Sequence, residues 1–475
     1  MKLTRRRARV RALALAVAAS LAWALLGTPV ATAQPRPDGL RVGRSTLVSL
    51  STPATGCALP EEYDNPQAAV DPNDPKRLVV TYSVANGDAR VASTSSDGGS
   101  TWATSVLPRL TACTGNPDGG TALDPFLSIG ADSRVYSSAS WVNFDPGSTV
   151  RTGHDSGRGY VSAAARPGDG FTAPVDLDPL VAAQRPVVLA DPHHPSMVTA
   201  FYQHGTNLAA PPVGDGSVCC DQALPLAGDP LYVRTSTDGG ATFGQPAIVA
   251  VPLPGHAHVT IGLQRSGSVL VAVRADVDLS QVASAQATHE PIAQQLVAHR
   301  SEDGGRTWTA GVAVGTFELG SSFAIPDLSA GPDGDLFLTW PQSGTPGHIL
   351  VAHSADAGAT WATTVAATTA GEVLEPAVAA RGPGRAAIAF YEHTGDSVVE
   401  RVVSTQDATS WSAPVAFSRA FSMADLLYAG PDGGYDGAPV GPYQDLVIVA
   451  GGYAAAFTTE VAGHEQIAFT RLLDD

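Results

Sequence analysis

The chain has 475 residues, 44% of them hydrophobic and only 15% charged, enough to build a large core and too apolar for a disordered tail. With 49 Gly and 36 Pro it reads as a turn-rich β protein. The formal charge is −17; six basic residues and no acid precede residue 34, so the remainder carries 22 basic against 45 acidic groups. Such a surface repels nucleic acid and anionic lipid, and neither is an expected partner.

Residues 1–33 read as a secretory signal peptide. Lys2, Arg5, Arg6, Arg7, Arg9 and Arg11 precede an apolar run from Ala12 to Leu26. Ala31-Thr32-Ala33 then supplies the small-x-small pattern of a cleavage site. The Arg5-Arg6 pair permits twin-arginine export, with Sec export the alternative. No later stretch is apolar and long enough to cross a bilayer. Export to an oxidising space makes disulfides the expected state of the cysteines. The four are Cys57, Cys113, Cys219 and Cys220. Cys57–Cys113 is the expected bridge, leaving the neighbours Cys219 and Cys220 as a vicinal disulfide or two thiols. Their spacing fits no zinc site, and no metal or other cofactor is expected.

From residue 45 onward an eight-residue pattern recurs: Ser, any, Asp, any, Gly, any, Thr, aromatic. It stands at Ser95–Trp102, Ser236–Phe243, Ser301–Trp308 and Ser354–Trp361, with a worn copy at Ser404–Trp411. The first gap is double the others, and Ser162–Phe171 fills it. The pattern predicts a hairpin turn: Gly adopts positive φ, while Asp and Ser oxygens accept turn N–H groups. In the first unit, strand signals at Gln67–Val70, Arg77–Tyr82 and Ala89–Thr94 lead into the box. In the fifth, Asp327–Ala330, Asp335–Trp340 and His348–His353 do the same. Four antiparallel strands per unit of roughly 50–70 residues describe a propeller blade. A seventh unit without a box follows at Asp445–Val449, Tyr453–Thr458 and Gln466–Leu472. The spare strand Ser45–Ser51 can complete it and close the ring. The expectation is an all-β, seven-bladed propeller over residues 34–475, with six blades as the alternative.

The repeat resembles the Asp-box (BNR) repeat of the sialidase superfamily, and is most similar to secreted bacterial sialidase-like proteins. That superfamily uses three arginines for the sugar carboxylate, a Tyr nucleophile with a Glu beside it, and an Asp acid/base. The resemblance implies Tyr443 as nucleophile, because Gly441-Pro442-Tyr443-Gln444-Asp445-Leu446 resembles the family's last-blade tyrosine segment. It implies Arg274 for the substrate, at the end of the strand pair Val259–Arg274. Where the family carries a Glu before that pair, this chain has His256-Ala257-His258, and Glu375 is the substitute. The family's Arg-Ile-Pro motif is replaced in the first blade by Asp64-Asn65-Pro66, and Arg185-Pro186 is its nearest echo. Asp124 or Asp155 would be the acid/base.

Loop length points to a site independently of the resemblance. About 142–159, 203–230 and 275–295 are long and lie opposite the box turns. They carry Asp145, Arg151, His154, Asp155, Arg158, His204, Asp215, Asp221, Asp276, Asp278, His289 and Glu290, and later blades add Glu375, Glu392, His393 and Asp436. His256 and His258 occupy alternate strand positions and so point the same way. Three functions compete: an exo-sialidase on extracellular glycans, a non-catalytic propeller binding glycan or glycoprotein, and a polysaccharide lyase or hydrolase using a His/Asp pair. A monomer is expected.

Overall fold

A computed structural model describes residues 39–49, 55–85, 87–142, 157–180, 182–204, 228–281, 292–319, 325–342, 344–422 and 443–474. Residues 1–33, Cys219, Cys220, Asp145, Arg151, His154, Asp155, Asp215, Asp221, His289, Glu290 and Asp436 lie outside that set.

The described chain forms seven antiparallel sheets arranged as propeller blades, which settles the choice between six and seven. Strand β1 (Arg41–Leu47) comes first in sequence and belongs to the last blade. Blade one is β2 (Tyr63–Asp71), β3 (Asp74–Val84), β4 (Ala89–Ser95) and β5 (Ala103–Val106). Blade two is β6 (Thr121–Ile129), β7 (Val135–Val142), β8 (Gly157–Ala164) and β9 (Val175–Asp176). Blade three is β10 (Ala183–Ala190), β11 (Val198–His204), β12 (Leu231–Ser236) and β13 (Ala247–Ala250). Blade four is β14 (His256–Ser266), β15 (Val269–Asp278), β16 (Ile292–Ser301) and β17 (Val312–Leu319). Blade five is β18 (Asp327–Ala330), β19 (Leu336–Gln342), β20 (Gly347–Ser354) and β21 (Ala362–Thr369). Blade six is β22 (Glu372–Gly382), β23 (Arg385–Thr394), β24 (Ser397–Thr405) and β25 (Val415–Ala416), with β26 (Phe421–Ser422) also on β24. Blade seven is β27 (Asp445–Val449), β28 (Gly452–Val461), β29 (His464–Leu473) and then β1.

The closing strand therefore starts four residues before the expected Ser45. Its position is fixed by partners rather than by its own alternation. Ser45 Oγ and Thr470 Oγ1 are 2.8 Å apart, and Thr46 donates to Gly99 O at 2.7 Å. Trp102 Nε1 then donates to Thr46 Oγ1 at 3.2 Å, and the Trp102 ring packs edge-on against Phe469 at 5.2 Å. The first box turn thus sits against the last blade and its closing strand.

Each well-formed box repeats one set of bonds. In the first, Gly99 N and Ser95 Oγ are 2.9 Å apart, and Ser95 Oγ donates to Asp97 Oδ1 at 2.8 Å. Thr101 donates to Asp97 through both N (2.9 Å) and Oγ1 (2.7 Å). The same bonds recur around Asp238, Asp303 and Asp356. These carboxylates are fully used in holding turns. At the box-side end, neighbouring blades are stitched by Ser133 to Asp71, Ser196 to Asp132, Arg265 to Asp191 and Gly384 to Asp335. Apolar cores fill the spaces between adjacent sheets, for example Phe337, Ile349, Val378 and Phe390 between blades five and six.

The seven first strands line the axis. They enclose a channel of about 250 Å³ lined by residues from Gln67, Phe126, Val187, Ile261, Asp327, Glu375 and Tyr443 onward. Because each first strand begins opposite the box turns, its N-terminal residues form the mouth on the long-loop face.

Candidate functional site

One backbone device builds the mouth. In blades one, two, three and six the first strand contains a polar residue followed by proline: Asn65-Pro66, Asp124-Pro125, Arg185-Pro186 and Glu375-Pro376. Each polar residue has a left-handed φ, at 54°, 48°, 47° and 47° respectively. At each, the register slips between strands one and two. Proline has no N–H to give the ladder, so a bulge accommodates it, and the bulge re-aims the side chain before it. Non-glycine residues resist positive φ. Four such residues at one channel end make a strained rim.

Tyr443 and Asp124 meet there. The buried Tyr443 phenol donates to Asp124 Oδ1 at 2.7 Å, and Ser140 Oγ donates to Asp124 Oδ2 at 2.7 Å. Arg185 Nη1 lies 3.7 Å from Asp124 Oδ1, and its guanidinium is 5.8 Å from the Tyr443 ring centroid. The backbone N of Arg185 donates to Ser140 Oγ at 2.8 Å, so blades two and three share one polar pin. Phe126 packs edge-on to Tyr443 at 5.7 Å.

Glu375 lies in the same channel wall, but the Tyr443 phenol bonds Asp124. Glu375 accepts at its backbone oxygen from Gln444 Nε2. Burial, with Glu400 and Asp64 nearby, raises the Glu375 carboxyl well above the usual range. Burial thus favours its protonated form.

Glu400 in β24 is completely buried, with the Tyr391 phenol beside its carboxyl. The neighbouring Tyr391 phenol is committed to Thr458, donating to its O at 2.9 Å and accepting from its N at 3.0 Å. Burial raises Glu400 well above the usual carboxyl range. A raised acid contributes stability below its unfolded pKa and loses it as pH rises through its folded pKa. Glu400→Gln should therefore raise the melting temperature, with a gain that grows from pH 5 to pH 8 in thermal scans.

The remaining expected residues form a second cluster on blade four. His256 Nδ1 is 2.8 Å from Asp276 Oδ1, and His258 Nε2 is 3.7 Å from Asp276 Oδ2. Both histidines face Asp276, as their alternate spacing implies. Arg274 Nη1 lies 3.0 Å from Asp276 Oδ2, and its Nε donates to His299 Nε2 at 3.1 Å. The carbonyl of Thr309 can only accept, so His299 carries its proton on Nδ1, 3.1 Å away. Burial, with Arg274 beside it, lowers His258 to about 3. Burial alone would raise Asp276, but hydrogen bonds from Arg274 and His256 outweigh it and lower it. Arg274 is thus held by protein partners within blade four. Asp276 and Asp278 lie on β15, His204 ends β11, and Arg158 lies on β8 against Asp118 at 2.8 Å. Glu392 pairs with Arg401, and His393 Nδ1 lies 3.7 Å from Glu372. Among the described residues, no group of three or more His, Cys, Asp or Glu side chains is placed to hold a metal ion.

Sequence reasoning missed Asn65, Ser140, Gln444 and Arg90. Arg90 is completely buried, and its Nη2 donates to Ala122 O at 3.0 Å. Burial lowers it to about 10, against the opposing pull of Asp64, Asp124 and Tyr443. The signal that finds most of the rim is the polar-Pro dipeptide that recurs in the first strands of blades one, two, three and six.

No protein-family model matches the sequence, and no curated protein matches it. Among solved structures, an ulvan lyase of polysaccharide-lyase family PL25, bound to -[GlcA(1-4)Rha3S]-, superposes with a TM-score of 0.50 at 9% identity, over 92% of this chain and 95% of that one. The Hadza microbial sialidase Hz136 gives 0.43 at 13% identity, over 74% of this chain and 65% of its own. Trypanosoma rangeli sialidase, in complex with 2,3-difluorosialic acid, gives 0.44 at 13%, over 91% of this chain and 59% of its own. The chain thus spans less than two thirds of either sialidase. At these identities the likeness is one of fold: a seven-bladed β-propeller.

Proposed function

We propose that the protein is a glycan-acting hydrolase of the exo-sialidase type, with Tyr443 as nucleophile. The carrying observation is the 2.7 Å bond from the buried Tyr443 phenol to Asp124. Phenol oxygen is a weak nucleophile until its proton has somewhere to go, and Asp124 stands ready to take it. Tyr443 would attack the anomeric carbon while Asp124 receives the phenol proton. Glu375, protonated beforehand, would donate to the departing glycosidic oxygen. Water would then hydrolyse the glycosyl-tyrosine, with Glu375 as base and the phenol leaving with the proton held by Asp124. Arg185, on the rim beside Asp124, would take the acidic group of the sugar. This reassigns the two carboxyls: Asp124 serves the nucleophile and Glu375 serves the leaving group. Export after removal of residues 1–33 belongs to the same proposal, and the Cys57–Cys113 disulfide fits it.

The test is hydrolysis of a fluorogenic α-sialoside by the purified protein. Tyr443→Phe should abolish it, with a loss of at least about 10³-fold in kcat. Activity should persist through acidic pH and fall as rising pH deprotonates Glu375. Sialoside binding without turnover in the wild type would instead favour a non-catalytic glycan-binding propeller.

A further inference from the structure

The cross-strand row that precedes each bulge differs between blades. In blade one it runs Asp64, Ser83, Arg90 across β2, β3 and β4. In blade two it runs Leu123, Ser140, Gly159, and in blade three Gln184, Gln203, Leu231. Glycine or leucine thus suffices where blade one has a completely buried guanidinium. A buried charge adds little to stability even when it is paired, so packing alone does not ask for arginine here. Direct cross-strand partners share a face, and neighbouring strands lie about 4.8 Å apart. Arg90 therefore starts roughly 10 Å behind Asp64, with only the small Ser83 between them. Its Nη2 crosses to blade two and donates to Ala122 O at 3.0 Å, two residues before Asp124. Ala122 N donates to Gly87 O at 2.9 Å. The strand that leads into the Asp124 bulge is thus pinned to blade one through both polar atoms of Ala122.

We propose that Arg90 is a positioning residue for the Tyr443–Asp124 pair: a fixed, buried positive charge that keeps one negative charge on the pair, so that Asp124 can accept the phenol proton. The proposal rests on the hydrolase reading above. Asp124 is faced by the Tyr443 phenol, by Ser140 from β7, by Arg185 from β10 and by Arg90 from β4, while Asp64 on β2 shares the Arg90 charge. Arg185 cannot serve Asp124 alone once the acidic group of the sugar engages it. Arg90 is out of reach of any substrate, so its charge stays with the pair throughout. Whether the proton sits on the phenol or on the carboxyl, the remaining negative charge meets the same guanidinium. A nearby positive charge favours the ionised form. Without it the pair takes up a second proton more readily, and the proton acceptor is lost.

The test reads protonation as well as turnover. Arg90→Gln keeps a donor for Ala122 O, Arg90→Met keeps the packing, and Arg90→Lys keeps the charge. With a fluorogenic α-sialoside, the acid limb of kcat/KM should lie at least about one pH unit higher in the Gln and Met variants. Activity lost on that limb should return toward neutral pH, with KM there changed by less than about twofold, because Arg90 never touches the sugar. Arg90→Lys should bring the limb back toward the wild-type position. A merely structural role would lower activity alike at every pH. The infrared band of the Asp124 carboxylate, isolated by subtracting the Asp124→Asn spectrum in each background, should also protonate at higher pH in the neutral variants. A band that stays in place there overturns the proposal, as does an equal shift in Arg90→Lys. Wild-type turnover with an unmoved band removes this role of Arg90 and leaves the hydrolase standing. Without wild-type turnover the hydrolase reading falls, and the band alone decides whether Arg90 acts on Asp124.

Discussion

Asp124→Asn is expected to lower kcat by about 10²–10⁴-fold, the usual worth of a positioned proton acceptor. An amide of the same shape keeps the oxygen that accepts from Ser140 or Tyr443, but it cannot receive the phenol proton. The backbone tolerates the change, because Asn accepts the left-handed φ of 48° found at this position. The loss should therefore appear in kcat with little change in melting temperature. Ser140→Ala should have a smaller effect, since it removes one bond to Asp124 Oδ2 and the pin to Arg185 N. Equal kcat in wild type and Asp124→Asn would remove Asp124 from the reaction and leave its bond to Tyr443 structural.

The second large effect is on stability. Cys57 and Cys113 are 56 residues apart in sequence and joined by a disulfide. Closing a loop of that length restricts the unfolded chain by about 4 kcal/mol. Replacing both cysteines by serine should lower unfolding stability by that order, read as a lower denaturant midpoint. The bridge ties the segment before β2 to the short 3₁₀ turn Ala112–Thr114 that follows β5, and Gly56 N donates to Cys113 O at 2.7 Å beside it. It thus clamps both ends of blade one, the blade that carries Asn65 and Arg90. The double substitution should loosen blade one as well as lower stability, and any effect on kcat follows from that loosening.

The blades were legible in the sequence because each box is local. Ser95, Asp97, Gly99 and Thr101 bond to one another within seven residues, so their spacing is their structure. Asp327–Ala330 and Asp445–Val449 coincide with the strands expected from turn signals on either side. The Cys57–Cys113 pair was also legible, as the bridge expected once the neighbours Cys219 and Cys220 are set apart. The rim was only half legible. Tyr443 was recognisable by its segment, yet its partner Asp124 lies 319 positions earlier and reaches it only through ring closure. Glu375 and Asp124 could not be sorted into roles from sequence, since the difference lies in which blade bounds which. Arg274 lies in the expected strand context, and its guanidinium is engaged by Asp276, two residues on in the same strand, and by His299 on β16. Arg90 carried no signal at all, because its role comes from burial among groups of three separate blades.

The closing strand has a consequence for synthesis. β1 leaves the ribosome about 420 residues before its sheet partner, β29. At about 5–20 residues per second, β1 waits roughly 20–80 s for that partner. Blades one to six can each assemble as their own strands emerge, whereas blade seven cannot. The ring therefore stays an open arc until β29 has been made, with β2 and β22 exposed on the flanks that blade seven will cover. Tyr443 and Asp124 come into register only at that last step, so an incomplete nascent chain carries no assembled rim.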